Sequence, residues 1–142
     1  MASINIDTGR KEIAIIRDGE NVGSIFFSPA DPAIIARLTD MRKALAEIDF
    51  TKFDAAIQAE DSDAFAEEMK ALDRRIREQL DYAFSSPVSD TVFGSGFAFA
   101  LSGGTSYAEQ FVTGALKYIR AEAEKEQQAA QARQDKYLKR KR

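Results

Sequence analysis

A chain of 142 residues with 44% hydrophobic and 30% charged residues and a net charge of −3 reads as one soluble globular domain with a modest core and no global drive toward nucleic acid. It contains no Cys and no His. That excludes disulfides, thiolate nucleophiles, Cys/His zinc sites and imidazole acid–base chemistry, and it suits a reducing cytoplasm, where we expect the protein.

Residues 3–27 read as β. Ile4 and Ile6 alternate with polar neighbours, Thr8-Gly9 punctuates, and Ile13 and Ile15 share a face in the next run. Asp18-Gly19 is a strong hairpin signal, because both residues tolerate positive φ. Val22–Phe27 is the return strand, with Ile25 and Phe27 on one face and Val22, Ser24 and Phe26 on the other. A two- or three-stranded meander of this size needs a helical cover for its apolar face. MASINIDTGR lacks a basic region followed by an apolar run and so does not read as a secretory signal.

Ser28–Pro32 ends the sheet. Asp31 suits the N-cap and Pro32 the first helical position. Ile34, Ile35, Leu38, Met41, Leu45 and Ile48 then recur at helical spacing, giving an amphipathic helix over about 32–48. Residues 49–63 admit two readings: a short helix around Phe53–Ala59 followed by a turn, or one continuous helix. Over 63–84, Phe65, Met69, Leu72, Ile76, Leu80 and Ala83 form an apolar stripe under a charged cover. Asp61-Ser62-Asp63 supplies too few converging oxygens for a divalent metal, and helix capping is the better reading.

Residues 82–104 then carry four of the ten Phe and four of the eight Gly, with Asp90 as the one charge. The uncharged run Thr91–Ala108 is half Gly, Ser and Thr, which rejects it as a membrane span. Gly94-Ser95-Gly96 and Gly103-Gly104 match no phosphate-binding signature, and Ser95 lacks both the nucleophile-elbow pattern and a histidine base. The glycines read as turns or hinges. A connection this long is either ordered by self-burial of its phenylalanines or offered as an interface, and both readings stand. Phe93, Phe97, Phe99 and Leu101 are the candidate protein-binding anchors, because large apolar side chains dominate interface energetics.

Ser106-Tyr107-Ala108-Glu109 forms a capping box. Phe111, Val112, Leu116, Ile119 and Tyr118 give the following helix a buried face to about residue 120. Residues 121–142 keep helix-forming residues but lose the stripe, so a charged helical tail should project into solvent and fray near its end. Within it Arg133, Lys136, Lys139, Arg140, Lys141 and Arg142 face only Asp135, a local +5 that leaves −8 on residues 1–132. As a nucleic-acid footprint these cations would give salt-dependent binding. As a solvated helix end they complement the dipole, which is the favoured reading, since Tyr137 alone is available for base stacking.

Gly23-Ser24-Ile25-Phe26-Phe27-Ser28-Pro29-Ala30-Asp31-Pro32, a charged helical middle, an uncharged Tyr82-Ala83-Phe84 to Val92-Phe93-Gly94 stretch, a further helix and a terminal Lys-Tyr-Leu-Lys-Arg-Lys-Arg follow in that order. This layout resembles the tail assembly chaperones of long-tailed, siphovirus-type bacteriophages, especially those of Gram-positive hosts. The resemblance spans most of the chain and rests on layout and short phrases. It implies a non-enzymatic, self-associating protein without cofactors. Such a protein binds the long helical tape-measure protein in the host cytoplasm, keeps it soluble until the tail tube polymerises, and is then displaced. A structural or adaptor subunit of a virion or other assembly, and a nucleic-acid-binding regulator using the basic tail, are the alternatives. The expected fold is α+β: a short antiparallel β-meander packed on a mainly helical body in one domain, 1–120, with the helical tail at 121–142.

Overall fold

The computed structural model describes residues 1–141, with side chains described through Arg140. The fold is α+β: an N-terminal antiparallel hairpin on a mainly helical body, with a long C-terminal helix. Strand β1 (Lys11–Arg17) pairs with β2 (Glu20–Phe27) from Lys11↔Phe27 to Arg17↔Glu20. Asp18 and Gly19 form the tip, both at positive φ (52° and 80°), as a two-residue turn with the twist of the strands demands. A bulge opposite Ile15/Ile16 re-aims β2 at Gly23, whose φ is 138°. A side chain at Gly23 would also meet Thr91 Cγ2 at 3.2 Å. Ile25 and Phe27 point into the core and Phe26 points out.

The expected meander over 3–27 is smaller than its sequence suggests. Residues 1–10 form no strand, and Ile4 and Ile6 are 90% and 81% exposed. Alternation favours extended backbone, but a third strand also needs a ladder. Instead, Asp7 Oδ1 accepts from the Gly9 N–H at 2.8 Å, and the Ser28 hydroxyl donates to Thr8 Oγ1 at 3.4 Å.

Helix α1 spans Ala33–Ala46. Pro32 occupies its cap and the Asp31 carboxylate accepts from the Ala33 N–H at 3.0 Å. Residues 49–63 follow the two-element reading: α2 is Thr51–Gln58, and Glu60 at φ 52° turns the chain into α3, Ser62–Phe84. Asp61 caps α3 by accepting from the Ala64 N–H at 3.1 Å, so the acidic triplet works at a helix start. Ser85, in the left-handed region, ends α3, with the Ser86 N–H donating to the Asp81 carbonyl. The short α4 (Ser89–Phe93) and the small hairpin β3 (Leu101–Ser102) and β4 (Thr105–Ser106) lead into α5, Tyr107–Lys141. The Glu109 N–H donates to Ser106 Oγ at 3.0 Å at that helix start.

The core forms where the inner face of the hairpin meets α1, α3, α4 and the first half of α5. Phe84, the last residue of α3, sits at its centre. Its ring is 5.0 Å from Phe27 and 5.1 Å from Phe111, centroid to centroid, tying hairpin, α3 and α5 together. Phe50, Phe53 and Phe65 make a smaller aromatic group between α2 and α3. Beyond Glu124, every described side chain of α5 is exposed, so one continuous helix joins the domain to the expected tail.

Candidate partner-binding site

The 82–104 connection is an ordered, self-packed segment. Asp81 accepts from the Val88 and Ser89 N–H groups, both at 2.9 Å, and from the Ser89 hydroxyl. Arg77 donates from Nε to Asp73 at 2.9 Å and from Nη2 to the carbonyls of Gly94 (2.9 Å) and Gly96 (2.7 Å). The second oxygen of Asp73 accepts from the Ala98 N–H at 2.7 Å. Arg17, from the hairpin tip, donates to the Val92 carbonyl at 3.2 Å. In the sequence, Asp73 and Arg77 belong to the charged cover of residues 63–84 and lie off its apolar stripe. Their burial follows from the connection folding back over α3, which adds a polar clamp to that face.

The four candidate anchors therefore separate. Phe93 is 4% exposed, packs edge-on to Phe111 and lies beneath the Arg77 guanidinium, 5.6 Å from ring centroid to carbon. It is a core residue, because the clamp on the carbonyls of Gly94 and Gly96 turns the chain so that its ring faces inward. Phe97 and Phe99 are half-buried and stack on each other at 5.1 Å, with Ala98 buried between them in sequence. Leu101 is 70% exposed on β3. Phe97, Phe99 and Leu101 remain at the surface. Arg133, Lys136, Lys139 and Arg140 are exposed along α5. The Lys141 side chain and all of Arg142 lie outside the described residues.

A different surface has the shape of a partner site. A groove of about 460 Å³ runs between α1, α3 and α5. Leu38, Met41 and Leu45 of α1, Ile76 and Leu80 of α3, and Val112 and Leu116 of α5 make its apolar floor and walls. Ile35 stands half-exposed on one lip. Thr39 and Arg42 edge the α1 side, and Glu109 and Thr113 edge the α5 side. The groove arises because α1 packs closely along α3, whereas α5 stands further off and meets the end of α3 through large side chains such as Phe84 and Phe111. Leu38, Met41 and Leu80 at the groove floor are buried in the core, and Ile35, Leu45, Ile76, Val112 and Leu116 are the apolar side chains left partly open above them.

Chemically, the groove could take up apolar surface. Its polar groups lie on the rim as one cation, one anion and two hydroxyls, matching the polar flanks of an amphipathic helix laid along an apolar floor. Sequence periodicity identifies the lining residues as apolar stripes but cannot distinguish a closed seam from an open one. Among the described residues no helix is long and apolar enough to cross a membrane. Compared with known proteins, the chain matches no family model, no curated protein and no solved structure.

Proposed function

We propose that this chain is a non-enzymatic tail assembly chaperone that lays amphipathic helices of a tape-measure protein into the α1/α3/α5 groove and keeps that client soluble in the host cytoplasm. The observation that carries this reading is the open apolar groove bounded by helices and rimmed by opposite charges. Leaving such a channel uncovered forgoes burial that the hydrophobic effect rewards, so it suits a protein that covers it with a partner. Helix-in-groove contacts are modest one at a time. Repeated along a long client they gain by avidity and can still be released one by one when the tube polymerises. The charged outer faces of α1 and α3 and the distal half of α5 keep the coated complex polar. The layout resemblance supplies the client's identity and the groove supplies a mode of binding it.

Co-expression with the tape-measure protein tests the proposal. The client should remain in the soluble fraction and co-elute with this chain on a sizing column. Ile35→Glu, on the exposed lip, should abolish the complex while leaving the circular-dichroism spectrum unchanged. An insoluble client, or a complex indifferent to Ile35→Glu, overturns the proposal. Recovery of the chain at fixed stoichiometry in finished particles would make it a structural subunit instead.

A further inference from the structure

Away from the groove, two unsatisfied features of the same chain fit each other. The first is the arm before β1. Ile4 and Ile6 alternate with Ser3 and Asn5 in the period of a strand, yet both side chains are almost wholly in water. The second is the outer edge of β1. Among the described residues β1 pairs with β2 alone, so its other edge offers free N–H and C=O groups. Beside it a trough of about 340 Å³ separates the hairpin from α5, lined by Ile13, Ile15, Ile16, Phe111, Gly114 and Tyr118 among others.

Gly114 makes this trough informative. It lies inside α5, where glycine weakens a helix relative to alanine. Apart from its chain neighbours and the backbone of its own helical turns, nothing lies within 4 Å of where its Cβ would be. The space is open, and a glycine there allows another backbone to approach closely.

We infer that two copies of this chain associate by arm exchange: residues 3–6 of each add a third strand to the free edge of the other's β1 and seat Ile4 and Ile6 in the trough beside Gly114. An antiparallel strand on β1 that places Ile4 on the Ile13 side directs both isoleucines toward α5, because residues two apart share a face. The exchange is two-fold and self-complementary, so it closes at a dimer. The chain's own arm is the competing occupant. The Asp7–Gly9 turn and the Thr8–Ser28 contact hold it at the β2 end of the hairpin, leaving both isoleucines in water.

Sedimentation of the full chain tests this. The unaltered protein should sediment as a dimer. The pair Ile4→Asp/Ile6→Asp should weaken dimerisation by about 100-fold or more, given the apolar surface each isoleucine would bury. Both positions are exposed in the monomer, so its circular-dichroism spectrum should be unchanged. Gly114→Phe should fill the trough, leave the fold intact and weaken the dimer as strongly. The absence of native cysteine allows a direct geometric check. Chains carrying Ser3→Cys, mixed with chains carrying Ala14→Cys, should give a covalent heterodimer with a short bismaleimide. A monomeric unaltered protein, a dimer indifferent to either the arm or the Gly114 variant, or a linker that joins positions 3 and 14 only within one doubly substituted chain overturns the inference. Client binding by a protein that stays monomeric would leave the groove proposal standing.

Discussion

Arg77 decides whether residues 82–104 are a loop or part of the core. Its guanidinium serves two carbonyls of the connection, the Asp73 carboxylate and the face of Phe93 at once, and its side chain is 16% exposed. A fifth partner, Asp90, is 93% exposed, so water screens that ion pair and it adds little. The bonds to the Gly94 and Gly96 carbonyls and to Asp73 carry the stabilisation. Removing the donor leaves two half-buried carbonyls and a largely buried carboxylate short of partners. Arg77→Ala should therefore cost about 2–4 kcal/mol in urea unfolding. Arg77→Lys should restore less than half of that, because one ammonium cannot span the fork. Amide exchange at Gly96 and Ala98 should accelerate in both variants. A loss near zero for the alanine variant would mean that aromatic packing alone holds the connection.

At the scale of elements, what could be read in advance depended on whether a signal was local. Asp18-Gly19 with flanking alternation identifies the β1/β2 hairpin, since tip geometry and face are set by neighbours in sequence. The stripes of α1 and α3 were equally legible, because each helix carries its large apolar residues along one face over at least three turns. Phe93 was not, since its inward turn depends on Arg77, sixteen positions earlier, and side-chain-to-carbonyl bonds leave no periodic trace. The groove was not legible either, because a gap between three stripes is a property of their packing. The strand expected at Ile4–Ile6 failed for a related reason: alternation specifies a face but supplies no ladder. Helix α5 shows both regimes. Its first half buries Ala115 and Ile119, while from Glu124 to Arg140 it touches no core. A chain ending at Lys125 should therefore lose helical ellipticity in proportion to the residues removed. Its unfolding free energy should change by less than about 1 kcal/mol in urea titration. A larger loss would show that the distal half folds back onto the domain.

For the whole molecule, the proposed groove and the proposed arm exchange have a joint consequence that neither has alone. A monomer offers a long client one groove. A dimer offers two, held at a fixed separation by the hairpins, so a client with successive amphipathic segments meets its second groove at a high effective concentration. A peptide carrying a single tape-measure segment should therefore bind the unaltered protein and the Ile4→Asp/Ile6→Asp pair with the same dissociation constant by calorimetry. The arm lies at the hairpin and the groove at α1, α3 and α5, so the substitutions leave the groove surface unchanged. A fragment carrying several segments should discriminate, binding the arm variant about 10- to 100-fold more weakly as avidity is lost. Ile35→Glu should weaken both clients alike, because it acts on the single-groove contact. If the arm variant binds long and short clients equally well, either the groove separation does not match the client's repeat or the dimer presents one groove at a time. Varying the spacing between two segments separates these cases, since a geometric mismatch yields a spacing at which the long fragment regains its advantage, and an occluded groove yields none.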